Sequence, residues 1–237
     1  MNRSIIIVIF FLITFSQAVY ATNTCIDAFA LDHRSKNIVL NIALSQIPVH
    51  QGLRTNPLKS QKQLTRKKVS LTTLLGVGQF GGKVYRVAFA DGSFATYKKY
   101  TRSAVLRIDL QKMKFWKDYE QELPIRVAAY NHPIKDLKYV QVENVFGSTV
   151  KSLLENPNVP DKIKYQVREK YREIFFKIHR WASRHSEQVE RVALIRNGYQ
   201  GYDLLGIVLK NNQTLWLHPD NIVIDAFTGE FVLIDPA

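Results

Sequence analysis

Cysteine is almost absent from this chain, because Cys25 is the only one among 237 residues. A single thiol cannot form a disulfide within the chain, and no companion residues stand beside it at metal-ligand spacing. The fold must therefore be held by a hydrophobic core, and a hydrophobic content of 46% is enough to build one. A chain of this length forms one domain or two small lobes around a shared cleft.

Acidic residues are also scarce, with 20 Asp and Glu against 33 Lys and Arg, so the formal net charge is +13. An excess of this kind favours acidic partners such as nucleotides, anionic membranes, nucleic acids or acidic protein surfaces. No basic stripe interleaved with aromatic residues is found in the sequence. We therefore expect no nucleic acid as a partner.

Long apolar runs are lacking except at the N-terminus. Arg3 precedes an apolar run, residues 5–15, that is short for a bilayer span, and residues 19–21 offer the small side chains that signal peptidase requires. We expect residues 1–21 to be a secretory signal peptide, with cleavage before Thr22 and no membrane span afterwards. An N-terminal anchor or a buried helix is the alternative. A secreted protein without disulfides is typical of bacteria.

Residues 22–70 carry weak signals and are interpreted as an N-terminal extension. Residues 38–44 predict a short helix or strand. Residues 51–68 combine Gly52, Pro57 and a run of Lys and Arg, which predicts an exposed basic linker.

The most informative stretch is the last one, residues 217–237. Two apolar runs, residues 222–224 and 231–234, predict a pair of strands joined by a turn in which Gly229 can adopt a positive φ. One end of this hairpin carries four polar side chains: His218, Asp220, Asn221 and Asp235. Oxygen ligands grouped in this way suit a hard cation with phosphate oxygens attached. A surface hairpin with polar ends is the alternative.

A second informative stretch, residues 75–100, is rich in glycine. A strand runs into a turn, and the glycines of this turn are Gly76, Gly78, Gly81 and Gly82. The turn is followed by a second strand and by a hairpin turn at Asp91-Gly92. A third strand then carries Lys98. Because side chains alternate along a strand, Lys98 and Lys99 must point to opposite faces.

These two stretches, in this order, resemble the nucleotide-covering loop, the strand lysine and the catalytic hairpin of the protein-kinase superfamily. The resemblance implies an α+β fold: a reduced two-lobe kinase-like fold with an antiparallel-sheet N-lobe that carries one helix. The C-lobe would be truncated, mostly helical, and would include the catalytic hairpin. The kinase-like domain would cover residues 71–237, with an N-lobe at 71–142, a hinge at 143–147 and a C-lobe at 148–237.

The resemblance also implies a site for ATP. The loop glycines would cover the phosphates, and Lys98 would contact them. The adenine would meet Val84 and Thr96, because Thr96, two residues before Lys98, is small enough, whereas Tyr97, two before Lys99, is not. The backbones of Glu143 and Val145 would bind the adenine edge.

Helical spacing predicts helices at residues 103–123, 148–155 and 161–185, with Ser103 and Asp161 as caps. In the family, the first of these helices pairs a carboxylate with the strand lysine. Asp118 and Glu120 are both near the expected place, and Glu120 is favoured for its reach. Residues 191–213 predict a loop with one possible strand at 204–209.

Two alignments of the terminal hairpin with the family remain open. In the first, Asn221 is the metal-binding asparagine, and the catalytic aspartate falls at Trp216, which cannot accept a proton. In the second, Asp220 is the catalytic base, and Asn221 or Asp225 is a metal ligand. The second is favoured because transfer to a hydroxyl benefits from a nearby carboxylate. In both, Asp235 would hold Mg²⁺ on the phosphates.

From residue 71 onward the chain resembles the minimal secreted effector kinases with which bacterial pathogens phosphorylate a host heat-shock chaperone. We therefore expect a secreted, monomeric virulence kinase that uses ATP and Mg²⁺ and phosphorylates serine or threonine of a protein, with host cells as one destination. A small-molecule phosphotransferase of the antibiotic-kinase type is one alternative. A catalytically inactive binding module is the other, because of Trp216.

Overall fold

A computed structural model describes residues 31–45, 69–77, 82–131 and 139–235 of the chain. The predicted signal peptide, Cys25, the basic linker and the loop glycines Gly78 and Gly81 lie outside these ranges. Within them, no helix is both long and apolar enough to cross a membrane.

The described elements alternate between strands and a few helices. The helices are α1 His33–Ser45, α2 Ser103–Asp118, α3 Val150–Glu155 and α4 Asp161–Arg184. The strands are β1 Val69–Val77, β2 Lys83–Phe89, β3 Phe94–Lys99, β4 Arg126–Val127, β5 Tyr130–Asn131, β6 Tyr139–Val142, β7 Gly147–Thr149, β8 Val189–Tyr199, β9 Tyr202–Leu209, β10 Thr214–Leu217, β11 Ile222–Asp225 and β12 Phe231–Leu233.

The first sheet has five strands in the order β1-β2-β3-β6-β5, and every neighbouring pair is antiparallel. The β2–β3 turn is the predicted one: Gly92 has φ of 76° and the Asp91 side chain accepts from the Ser93 N–H at 3.0 Å. Helix α2 supplies Leu106 to a small core that includes Val140 and Val142 of β6. The predicted α+β class, with an antiparallel sheet against which helix α2 packs, is confirmed.

Helix α2 is shorter than predicted and begins without the predicted cap. It ends at Asp118 rather than at residue 123, and a single 3-10 turn follows at Glu120–Glu122. Pro124 explains why the helical path stops by Leu123, which is extended with φ of −89° and ψ of 147°. Arg102, not Ser103, occupies the cap position, and it has no side-chain cap hydrogen bond.

Helix α4 follows the prediction closely, because its apolar positions recur at helical spacing. Every predicted inner-face residue is buried, namely Ile163, Val167, Tyr171, Ile174, Phe175, Ile178 and Trp181. Pro160 rather than Asp161 occupies its cap position. Helix α3 begins at Val150, two residues later than predicted, because Ser148 and Thr149 pair with β11 as strand β7.

Residues 191–213, predicted as a loop with one possible strand at 204–209, form most of a long antiparallel hairpin. Strand β9 includes the predicted strand, whereas β8 was not predicted; the two pair with each other, and β10 completes a three-stranded sheet in the order β10-β9-β8. Gly206 lies inside β9 opposite Trp216. A Cβ at Gly206 would come within 2.5 Å of the Trp216 ring, so the indole itself requires glycine there. The C-terminal half therefore contains more strand than the prediction allowed.

The terminal hairpin forms as predicted, with β11 and β12 antiparallel and Gly229 at φ of 75°. It occupies the centre of a four-stranded sheet in the order β4-β12-β11-β7. Strand β4 pairs with β12 in parallel, and β7 pairs with β11 antiparallel. Both neighbours come from distant parts of the sequence, so the hairpin is held from both sides.

Helix α1, from the predicted N-terminal extension, packs against this hairpin. The Leu31 N–H donates to the Gly229 carbonyl at 2.8 Å, and the Ser35 hydroxyl donates to the Gln166 side chain of α4 at 3.0 Å. Leu31 and Val39 are buried in the main hydrophobic core. The ambiguous pattern at residues 38–44 is thus a helix.

We predict that Gly229→Ala destabilises the protein more than Gly201→Ala does. Both glycines have a positive φ, so alanine strains either backbone by about 1 kcal/mol. A Cβ at Gly201 meets open space, whereas one at Gly229 would lie 2.8 Å from the Leu31 nitrogen and 2.6 Å from Lys36 Cε. Crowding of this kind typically adds about 1–3 kcal/mol. Urea unfolding measures both variants, and equal losses would show that α1 does not dock on the hairpin.

Candidate active site

The side chain of Lys98 is mostly buried on one face of the first sheet. It projects from β3 between Val84 of β2 and Val140 of β6, and only 13% of it is exposed. Its neighbour Lys99 points to the opposite face, where its ammonium stands 5.4 Å from the centre of the Tyr139 ring. This is the orientation that strand alternation requires.

Lys98 joins two carboxylates that are far apart in sequence. Its Nζ donates to Asp109 Oδ2 at 2.8 Å and to both carboxylate oxygens of Asp235 at 2.9 and 2.8 Å. Burial by itself would lower the pKa of Lys98, but the charges of Asp235 and Asp109 more than offset it, so that its pKa is raised. The ammonium is therefore charged, and it links the sheet, helix α2 and the terminal hairpin.

The structure corrects the predicted helix partner of Lys98, which is Asp109 and not Glu120. Glu120 lies in the 3-10 turn after α2, where it accepts from the Val127 N–H at 2.8 Å and pairs with Lys117. Asp118, the other candidate, pairs with Lys114 on the surface.

A sequence signal for Asp109 was nevertheless present. It shares one helical stripe with Leu106, Met113 and Trp116, all of which are buried. A carboxylate within an apolar stripe requires a buried partner, because an unpaired charge there is costly. Ile108, on the neighbouring stripe, is 43% exposed.

Tyr100 is a second residue that the sequence analysis missed. Only 2% of it is exposed, and the Lys98 ammonium lies 5.1 Å from the centre of its ring. This distance is typical of a cation–π contact. Burial, only partly offset by Lys98, raises the pKa of the Tyr100 hydroxyl well above its usual range, so the ring stays neutral beside the ion cluster.

The predicted nucleotide-facing residues of the sheet lie near Lys98. Val84 is directly opposite Lys98, and Thr96 precedes it by two on the same face. Gly82 is buried, and a Cβ there would meet Lys98 Cε at 3.7 Å. Gly76 is paired within the sheet near the end of β1 and has open space around it.

The segment predicted as a hinge uses its backbone donors within the chain. The Glu143 N–H donates to the Ala129 carbonyl at 2.8 Å, and the Val145 N–H donates to the Glu143 carbonyl at 3.2 Å. The predicted adenine contacts through these two N–H groups therefore require those bonds to be exchanged. Asn144, which the sequence analysis did not single out, accepts from the Thr96 hydroxyl at 3.0 Å and ties this segment to β3.

The polar end of the terminal hairpin gathers Asp220, Asn221 and Asp235, as the strand register requires. The Ile234 N–H donates to the Asn221 carbonyl at 2.9 Å, so the residues flanking the two strands lie side by side. Asn221 is buried, and its Nδ2 has no hydrogen-bond partner within the described ranges. Burial lowers the pKa of nearby His218, which favours a neutral imidazole.

Asp225 and Trp216, which the two alignments with the kinase family placed at the metal site and at the catalytic position, have structural roles. Asp225 accepts from the N–H groups of Phe227 and Thr228 at 2.8 and 3.0 Å, so its carboxylate supports the hairpin turn. Of the two alternatives for the second metal ligand, Asn221 is therefore the one with an available side chain. Trp216 packs over Gly206 in the three-stranded sheet.

A divalent cation fits this end of the hairpin only together with phosphate oxygens. The described residues contain no group of three or more His, Cys, Asp or Glu side chains that could hold a metal. However, Mg²⁺ is commonly bound by one or two protein side chains plus substrate phosphates. The Asp235 carboxylate and the buried amide of Asn221 provide oxygen donors of this kind.

Comparisons with known proteins add little to this geometry. No protein-family model and no curated protein matches the sequence. One matching solved structure is the apoenzyme of a macrolide 2'-phosphotransferase from Brachybacterium faecium, at 11% identity and a TM-score of 0.34. The match covers 73% of this chain and 71% of that chain. A likeness this weak carries no conclusion about activity, so the function is inferred below from the contacts of the residues themselves.

We predict that Asp109→Ala costs about 1–3 kcal/mol of unfolding free energy, because it leaves a buried lysine with one carboxylate instead of two. Asp118→Ala is the matched control on the same helix. Its partner Lys114 is exposed, so the loss should stay below about 1 kcal/mol. Denaturant unfolding measures both. Similar losses from the two variants would contradict the assignment of Asp109 as the partner of Lys98.

Proposed function

We propose that this chain is a secreted kinase that transfers the γ-phosphate of ATP, with Mg²⁺, to a serine or threonine of a protein. The observation that carries the proposal is the buried contact of Lys98 with Asp109 and Asp235. A host heat-shock chaperone is the first acceptor to test, in line with the resemblance of the sequence to effector kinases.

The ion cluster supports phosphate chemistry because it is buried, charged and built from three separate elements. Burying a lysine and two carboxylates is costly, and apolar residues would often stabilise a fold equally well. A lysine on a strand can bind phosphate oxygens in place of Asp235. The Asp235 carboxylate is then released for a cation bound to the same phosphates.

The proposed roles of Asn221 and Asp220 follow from their position at the polar end of the terminal hairpin. Asp235 and Asn221 would hold Mg²⁺, which would neutralise part of the phosphate charge. Asp220, at the same end of the hairpin and 35% exposed, would accept the proton of the attacking hydroxyl. The hydroxyl oxygen forms the new bond to the γ-phosphorus, the bond to the β-phosphate oxygen breaks, and ADP leaves.

We predict that Lys98→Met abolishes transfer of labelled phosphate from ATP, whereas Lys99→Met remains close to the wild-type rate. The two variants are matched in residue type and strand, and they differ in the face from which the ammonium is removed. The assay incubates the protein with γ-labelled ATP, Mg²⁺ and host-cell lysate and then identifies the labelled molecules. Equal losses from both variants would refute the role of Lys98.

The same assay distinguishes the alternatives. Label on a protein other than the enzyme supports a protein kinase, and label only on small molecules supports a phosphotransferase of the antibiotic-kinase type. Nucleotide binding without any transfer supports a catalytically inactive binding module.

We further predict that Asp220→Ala lowers turnover by about 10²–10⁴-fold, which is the usual contribution of a general base. Binding of Mg-ATP should change little, because the proposed nucleotide ligands remain. Asp235→Ala should lower turnover and also weaken the Mg²⁺ dependence of binding. Turnover of Asp220→Ala within about two-fold of wild type would favour the alignment that places Trp216 at the catalytic position.

A further inference from the structure

Lys151 is a second lysine at the polar end of the terminal hairpin, and the roles described so far do not use it. Its Nζ lies 3.6 Å from Asp220 Oδ2, and its backbone N–H donates to the Pro219 carbonyl at 3.3 Å. Both the backbone and the side chain of Lys151 therefore contact the turn that carries Asp220. Only 18% of the lysine side chain is exposed, against 35% of the aspartate.

The backbone of Lys151 is held firmly by its neighbours. It is the second residue of α3, and Val150 and Leu153 of this helix are fully buried. The Thr149 hydroxyl accepts from the Ser152 N–H at 3.1 Å and caps the helix. Strand β7, which leads into α3, pairs directly with β11 of the terminal hairpin. The elements that carry Lys151 and Asp220 are therefore attached to neighbouring strands of one sheet.

The charges of the site explain why a second cation is useful there. The site contains three carboxylates, those of Asp109, Asp220 and Asp235, and Lys98 contacts two of them. A triphosphate adds further negative charge beside Asp220, and the two would repel each other without a cation between them. Lys98 lies beside Asp109 and Asp235, whereas Lys151 is the lysine beside Asp220.

We infer that Lys151 binds the terminal phosphate of the nucleotide and keeps it close to Asp220. This inference rests on the proposed kinase function and extends it, because it assigns the terminal-phosphate contact to a lysine of the helix after the hinge segment. Because its Nζ lies 3.6 Å from Asp220 Oδ2, a phosphate oxygen bound by this ammonium would lie close to the Asp220 carboxylate. An ion pair with only a structural role is the competing explanation.

Calorimetric titration of the full chain, with Mg²⁺, separates these explanations. The probes are ADP and a non-hydrolysable ATP analogue, and the variants are Lys151→Met, Lys151→Arg and Lys177→Met. Lys177 is the matched control because it also pairs with a carboxylate, that of Glu173 at 3.3 Å, and is 30% exposed, but it lies on α4 and not at the polar end of the hairpin. Thermal unfolding of each variant shows whether it is folded.

We expect Lys151→Met to weaken binding of the ATP analogue by about ten-fold or more while the affinity for ADP stays within about two-fold. Lys151→Arg should restore most of the preference for the triphosphate, because it keeps the charge. Lys177→Met should leave both affinities unchanged. Turnover of Lys151→Met should fall by about 10²-fold, as for other groups that stabilise charge in the transition state.

Three other outcomes would contradict either the role of Lys151 or the proposed kinase function. If Lys151→Met keeps the wild-type ratio of the two affinities, or weakens ADP and the ATP analogue equally, Lys151 does not bind the terminal phosphate. If Lys177→Met has the same effect as Lys151→Met, the change reflects general charge and the inference is overturned. If the wild-type chain binds neither nucleotide, the proposed kinase function fails, and the role of Lys151 fails with it.

Discussion

The ion cluster of Lys98, Asp109 and Asp235 is the constraint on which the rest of the structure depends. A lysine that is 13% exposed cannot remain charged at low cost without carboxylates beside it. Those carboxylates come from a helix and from the end of the terminal hairpin, so the sheet, the helix and the hairpin must converge on one point. The same requirement that shapes the fold places a cation and two anions in direct contact, which is the basis of the proposed phosphate chemistry.

The terminal hairpin can meet this requirement because it is central and not peripheral. Strands β4 and β7 pair with it on both sides, and helix α1 covers its turn at Gly229. Strand β7 continues directly into the helix that carries Lys151, so the second cation of the site is attached to the same sheet. The polar end of the hairpin is therefore positioned by a rigid base, as a catalytic or binding site requires.

Local patterns predicted those parts of the fold that depend on one face of one element. The apolar stripe of α4, the Asp91-Gly92 turn, the hairpin around Gly229 and the inward orientation of Lys98 all follow from periodicity or from turn chemistry. The hairpin of β8 and β9 did not, because only a strand at 204–209, which includes Gly206, was predicted and β8 was not. That glycine is explained by the indole of Trp216, which stands across from it on another strand.

The sequence by itself determined helix α4, the polar residues that end the terminal hairpin and the strand face that carries a buried lysine. Only the tertiary structure decided which helix carboxylate meets that lysine. Glu120 has the longer side chain, but helix α2 ends at Asp118, and Val127 and Lys117 bind the Glu120 carboxylate. Asp109 lies on the stripe that packs inward, and a buried charge pairs with whichever opposite charge the packing places beside it.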